Sequence, residues 1–383
     1  MDALVGAGDS PRHYRSQARL LQSPRDGDLP LGGILVSAGR HASHLGPALR
    51  LGADLGVPVV LMCSRKAQPA EAAEAAAQVP GVHCAVVDLS EPPPDPFPPF
   101  ETSGFREALV GSHGDLSRKR NLGLVLARLA GWPTLLFLDD DIDGLKPALV
   151  RRAAGALEHH TAVGMPARDY PDNSVVCHAR RFIPNGRQGV FVAGSALAVN
   201  VDRADSFFPE TYNEDWLFLA PHLDRRDVVA LGSVRQLPYD PFELPDRATA
   251  EEFGDVLAEG LIGHLHRNSL ESPPTVAEWA AFLERRRRFI AEAAESCANR
   301  AADDPEAAAA LRALERADWS RARLVPEFLA AYVTCWLRDL RRWRCFLASI
   351  PRCGGLGAAL DQLRLPATSV TTGLPDPSLS TAE

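Results

Sequence analysis

Three consecutive carboxylates, Asp139-Asp140-Asp141, follow directly on the apolar run Thr134–Leu138. That run predicts a buried strand. Carboxylates crowded at its end repel one another and lose hydration unless a cation neutralises them. A hard divalent ion, Mg²⁺ or Mn²⁺, binds through one or two carboxylates together with phosphate oxygens. The triplet therefore asks for a metal–diphosphate complex, the plain alternative being an acidic loop or a helix start. A basic run, Arg118-Lys119-Arg120-Asn121, opens the helical pattern Leu116–Leu129 just upstream. It reads either as a solvated face or as the cationic half of a diphosphate site, with the planar fork of Arg120 on phosphate oxygens. Gly123 would let that helix pack close to the sheet.

These residues need a scaffold, and the flanking sequence predicts one. Leu31–Ser37, Val57–Met62 and Val82–Val87 are short apolar runs, separated by helical patterns at His44–Leu55 and Ala70–Gln78. Strand and helix alternating at this spacing predict a mostly parallel sheet flanked by helices. Glu91–Phe100 holds six prolines in ten residues and can be neither helix nor central strand. Beyond Ala248 strands give way to helical periodicity at 278–298, 305–317 and 326–350. We expect a loose arm (1–30), an α/β catalytic domain (31–247), a helical extension (248–365) and a disordered tail (366–383) low in apolar residues.

SRKRNLGLVLARLAGWPTLLFLDDD (117–141) resembles the segment of family 2-like glycosyltransferases in which an arginine–asparagine–glycine helix start leads to an apolar strand and a DxD motif. VAGSALAVN (192–200) is similar to that family's acceptor-side strand, and TYNEDWLF (211–218) to its glutamate–aspartate motif. The resemblance spans Leu31 to Phe218, about half the chain. It implies a GT-A fold, the nucleotide-diphospho-sugar transferase-like α/β architecture, here with a C-terminal helical extension. It also implies a metal-dependent transfer of sugar from a UDP- or GDP-type donor to an acceptor hydroxyl, with inversion. Asp139 would then meet the ribose or the metal, Asp141 would bind the metal and Asp140 would assist. Arg118, Arg120 and Asn121 would hold the diphosphate. Asp215, with Glu214 beside it, would be the general base. Some such enzymes add a histidine from the C-terminal region to the metal, which makes His264 and His266 candidates.

The chain departs from the family after its second strand, where Met62-Cys63-Ser64-Arg65 stands in place of acidic residues. Recognition of the base would fall to Ser37, Arg40, Ser64 or Asp88. Asp141-Ile142-Asp143-Gly144 also imitates the nucleophile loop of haloacid-dehalogenase-type phosphatases, with Asp141 and Asp143 as its carboxylates, but it lies far from the start of the domain. A non-catalytic nucleotide-sugar-binding protein is a further alternative.

With 46% hydrophobic and 23% charged residues, the composition is that of a folded protein and not of a disordered one. A formal charge of −8 argues against wrapping nucleic acid. No apolar stretch is long enough to span a bilayer, and the first residues lack the pattern of a signal peptide. Seven scattered cysteines without a CxxC pair suggest reduced thiols and a cytoplasmic location. Glu284–Arg288 reads as a solvated helix face. Leu324–Ile350 is basic and amphipathic, suited to packing on the core, to a membrane surface or to a homodimer.

Overall fold

The computed structural model describes residues 16–108, 115–168, 174–184 and 191–373. Three apolar runs form strands β1 (Gly33–Ser37), β2 (Val59–Cys63) and β3 (His83–Asp88), alternating with helices α1 (Gly46–Leu55) and α2 (Pro69–Ala77). β2 pairs in parallel with β1 and with β3. After the proline-rich loop, α3 (Leu116–Ala130) leads into β4 (Thr134–Asp139), parallel to β1 on its other side. Then follow β5 (Ile142–Asp143), α4 (Pro147–Ala156), β6 (Ala162–Gly164), α5 (Val175–His178), β7 (Ala196–Asn200), α6 (Glu214–Asp224), β8 (Val228–Ala230) and β9 (Arg235–Gln236). The C-terminal region contributes α7 (Pro245–Leu265), α8 (Val276–Ala298), α9 (Pro305–Arg321), α10 (Pro326–Ser349), α11 (Leu356–Gln362) and β10 (Ala367–Thr371).

The result is an α/β fold with an eight-stranded, mostly parallel sheet, order β10-β3-β2-β1-β4-β7-β6-β8, flanked by helices. Only β7 and β10 run antiparallel to their neighbours. Successive side chains of a strand face opposite layers. Accordingly Leu35 and Phe137 enter one core with α3, α6 and α10, while Ile34, Val36 and Leu138 enter another with α1, α2 and α4. Both faces are covered, which is why β1, β2 and β4 read as continuous apolar runs. Gly123 does bring α3 close: a Cβ there would lie 2.5 Å from Leu35 Cδ1.

The C-terminal helices do not form a separate layer. Trp336 and Trp343 of α10 are fully buried in the core that holds Leu35 and Phe137. The expected boundary at 247/248 falls inside α7. The aromatic stripe of α10 faces the core, and Arg338 and Arg342 pair with Glu101. Asp339, fully buried, accepts the backbone N–H of Glu101 (2.8 Å) and Thr102 (2.9 Å), locking the end of the proline-rich loop onto α10. Among the described residues no helix is long and apolar enough to cross a membrane.

Three further expectations are corrected. The arm is not loose where it is described: Leu20 is fully buried and Gln22 bridges Val229 beside β8, while residues 1–15 lie outside the described residues. The tail contains β10, which pairs with His83–Val87 of β3, because its β-branched Thr368, Val370 and Thr371 suit an edge strand; residues 374–383 lie outside the described residues. Arg286, in the middle of the supposed solvated run, is fully buried on α8. It binds Glu252 (2.6 Å), Asp255 (3.2 Å) and Glu259 (2.6 Å) of α7, because helical periodicity puts it on the buried stripe with Phe282, Leu283 and Phe289.

Candidate functional site

The chain proceeds from β1 to β2 and β3 on one side and to β4 on the other. The carboxyl ends of β1 and β4 therefore frame a topological switch point, where ligands of open α/β sheets collect. A cleft of about 750 Å³ opens there, a volume suited to a small ligand or cofactor. Ser37, Gly39 and Arg40 after β1 line it, as do Asp139, Asp140 and Asp141 after β4. Lys119 of α3, Glu214 of α6, and Arg247 and Glu251 of α7 close the remaining walls.

The three carboxylates differ in their partners. Asp140 is buried and accepts the backbone N–H of Gly39 (2.7 Å) and Arg40 (2.8 Å), so it shapes the β1 loop. The Arg40 guanidinium bridges Asp140 (2.5 Å) and Asp141 (2.8 Å). Gln236 donates to Asp141 Oδ2 at 3.0 Å. Asp141 Oδ1 is buried with no hydrogen-bond partner among the described residues. Burial first, then the Asp139 charge, hold the Asp141 carboxyl above its ordinary range against the pull of Arg40. Asp139 keeps 24% side-chain exposure and meets the Arg120 guanidinium at 3.0 Å.

Arg120 is almost wholly buried and runs from Asp139 to Glu214, at 2.5 Å. Burial alone would lower its pKa, but those carboxylates push it well up. Gly194 lies flat against it, since a Cβ would stand 2.4 Å from Arg120 Nη1. Engaged on both sides by protein carboxylates, Arg120 positions the acids and does not offer the phosphate fork expected of it. Arg118 turns to Asp95 and the Pro93 carbonyl, outside the cleft. Asn121 clamps the backbone of Phe208 in both directions at 2.8 Å. These two are structural, because successive residues of a helix point about 100° apart.

On the base side, Ser37 and Arg40 reach the cleft, whereas Ser64 and Asp88 do not line it. Ser64 Oγ accepts from Lys119 Nζ at 2.6 Å, which also donates to the Ala38 carbonyl at 2.8 Å. Asp88 accepts two bonds from Ser90, which hold its carboxyl below the usual range.

The acidic pair at the start of α6 divides unexpectedly. Asn213, in left-handed backbone (φ 57°), turns the chain and donates to Asp255 at 2.7 Å. Glu214 then lines the cleft. Burial pushes its carboxyl up to about 8, over the opposing guanidinium of Arg120. Asp215 lies off the cleft lining. Its oxygens accept the backbone N–H of Gly194 (2.5 Å) and Trp216 (2.8 Å), so the residue expected as the base instead fixes backbone.

The histidines stand elsewhere. His264 lies thirteen residues beyond Glu251 on α7, about 20 Å along the helix axis, and contacts Glu278 and the Ser272 carbonyl. His266 contacts the Ser16 carbonyl. Neither reaches the triplet, so both are corrected as metal ligands. Asp143 is exposed and binds its neighbour's N–H, Gly144, at 2.6 Å. It does not join Asp141 in the cleft, as the phosphatase alternative requires. Among the described residues no group of three or more His, Cys, Asp or Glu side chains is arranged to hold a metal ion.

Gln236, Arg247 and Glu251 were not singled out from sequence. Arg247 and Glu251 pair at i,i+4, a pattern visible in the sequence, but nothing there shows that it faces a cleft some hundred residues upstream.

No family model and no curated protein matches the chain. A solved structure titled "Crystal Structure of A197 from STIV" is similar at 12% identity, over 55% of this chain and 87% of that one, with a TM-score of 0.31.

Proposed function

We propose that the cleft binds a nucleotide-diphosphate sugar and transfers the sugar to an acceptor hydroxyl, within a GT-A fold. One observation carries this reading: the DxD carboxylates at the end of β4 and Glu214 at the start of α6 meet in one cleft at the switch point. The acceptor oxygen attacks the anomeric carbon, its proton passes to Glu214, and the bond to the diphosphate breaks with its electron pair on the departing oxygen. The outcome is inversion. A base titrating near working pH is well matched to that proton transfer. Arg120 holds Glu214 and Asp139 in fixed relation, while Arg40 and Lys119 supply positive charge on the β1 side.

The donor set fits one divalent cation shared with a diphosphate. Asp141 carries the unpartnered buried Oδ1, and Asp139 retains exposure. Asp139 and Asp141 would hold Mn²⁺ or Mg²⁺, with phosphate oxygens completing the shell. When bound, the cation stabilises negative charge on the departing diphosphate.

The test is thermal melting of the protein with UDP, GDP and their sugars, each with and without Mn²⁺. Ligand at a hundred times its Kd stabilises by about 2.7 kcal/mol. A metal-dependent rise in Tm with one nucleotide class, abolished in Asp141→Asn, is expected. Unchanged melting with every nucleotide would overturn the proposal.

A further inference from the structure

Arg40 pairs with Asp141, one of the two carboxylates proposed above to hold a divalent cation. Its guanidinium contacts Asp140 at 2.5 Å and Asp141 at 2.8 Å, yet its side chain is 47% exposed. Hydrogen-bonded ion pairs to the two carboxylates hold a side chain that is otherwise half in solvent. The two carboxylates would respond differently to its departure. Asp140 keeps the backbone N–H groups of Gly39 and Arg40, so the β1 loop retains its shape. Asp141, 5% exposed and lining the cleft, keeps Gln236 on Oδ2 and still has its unpartnered Oδ1. Of the two, Asp141 has ligand capacity to give. The planar fork that fits a carboxylate fits a phosphate equally well.

We propose that Arg40 is an exchangeable counter-ion, which neutralises Asp140 and Asp141 until a diphosphate enters, then turns onto the phosphate oxygens and yields Asp141 to the divalent cation. The proposal rests on the reading of the cleft as a nucleotide-diphosphate site and adds an order to its loading. Metal alone binds weakly because the arginine competes with it. Nucleotide relieves that competition, so nucleotide and metal strengthen each other's binding by the same factor.

The experiment measures Mn²⁺ binding to the full chain by the electron paramagnetic resonance of free Mn²⁺, first with the metal alone. If Arg40 holds Asp141 in roughly nine of ten molecules, removing it tightens metal binding about tenfold. Arg40→Gln is expected to show that gain, to lose it again in the double variant with Asp141→Asn, and to show less strengthening by UDP or GDP. Arg40→Lys keeps the charge without the fork and should fall between; it also carries the test if the glutamine variant does not fold. Arg65→Gln removes a cation that lines the cleft without touching the triplet, and should leave metal affinity near the wild-type value. Metal binding in Arg40→Gln no tighter than in wild type, or an equal gain in Arg65→Gln, would overturn the exchange. Failure of the wild-type protein to bind any nucleotide diphosphate would count against the proposed function instead, and the metal-alone comparison would still judge Arg40.

Discussion

The Glu214 carboxylate sits 2.5 Å from the Arg120 guanidinium and faces the cleft, whereas Asp215 next to it holds two backbone N–H groups. Two variants separate their roles. Glu214→Gln should keep donor affinity but lose turnover by about 10²-fold or more, the usual scale of general-base catalysis. If the wild-type protein carries out the proposed transfer, kcat/KM should rise with pH towards a plateau above about 8, as Glu214 ionises. Asp215→Asn should instead lower stability by about 1–3 kcal/mol in urea unfolding, by misfitting a buried pair of donors, and should retain part of its turnover. The reverse pattern would restore Asp215 as the base. At this scale the sequence is legible in kind only. Adjacent carboxylates after a strand announce a site, but which oxygen is free depends on where Arg40 and Arg120 reach from distant parts of the chain.

Helices and strands were far more legible. β1, β2 and β4 are buried on both faces, so their sequences are unbroken apolar runs, and α3 shows its start and its close packing on the sheet. Gly123→Ala tests that packing. A methyl 2.5 Å from Leu35 Cδ1 and 3.2 Å from Phe137 Cε1 should cost about 1–3 kcal/mol in a urea titration. An unchanged midpoint would mean that α3 stands further from the sheet. The partnering of charge between helices is not visible in the sequence. Helical period alone could have placed Arg286 on the buried stripe with Phe282, Leu283 and Phe289, but its three acids lie on another helix. Breaking that cluster with Arg286→Met leaves buried carboxylates uncompensated and should destabilise by about 3–5 kcal/mol. A loss below about 1 kcal/mol would show that the acids are neutral when folded.

Burial favours the protonated form of some acids in the folded protein relative to an unfolded chain. Glu214 is pushed from 4.5 to about 8, and Glu252 and Asp255 are raised by burial in the same direction. A folded state that binds more protons loses stability as pH rises. The Glu214 contribution is therefore complete below 4.5 and gone above about 8. Buried His178 and His222 work in the opposite sense, being lowered to about 4 and about 3, but their effect is half spent at 6.5 and fades above it. Above 6.5 the Glu214 contribution therefore outweighs theirs, so urea midpoints should fall from there to about 8, and Glu214→Gln should flatten part of the slope. A midpoint that rises over this range would refute the raised carboxyl. The −8 net charge visible in the sequence says nothing of this, because it counts acids without their surroundings.

Strand β10 covers the free edge of β3, yet it is synthesised after every other described element of the sheet. While the ribosome is still making the helices, β3 exposes a row of unpaired amides and carbonyls that another nascent chain can use as a template. Yield and solubility on expression should thus depend on residues 367–371, far from the cleft. A chain cut before Ala367 is expected to aggregate even though every residue of the proposed site is intact, and light scattering of the two lengths at equal concentration would show it. Equal scattering would mean that β3 tolerates an open edge.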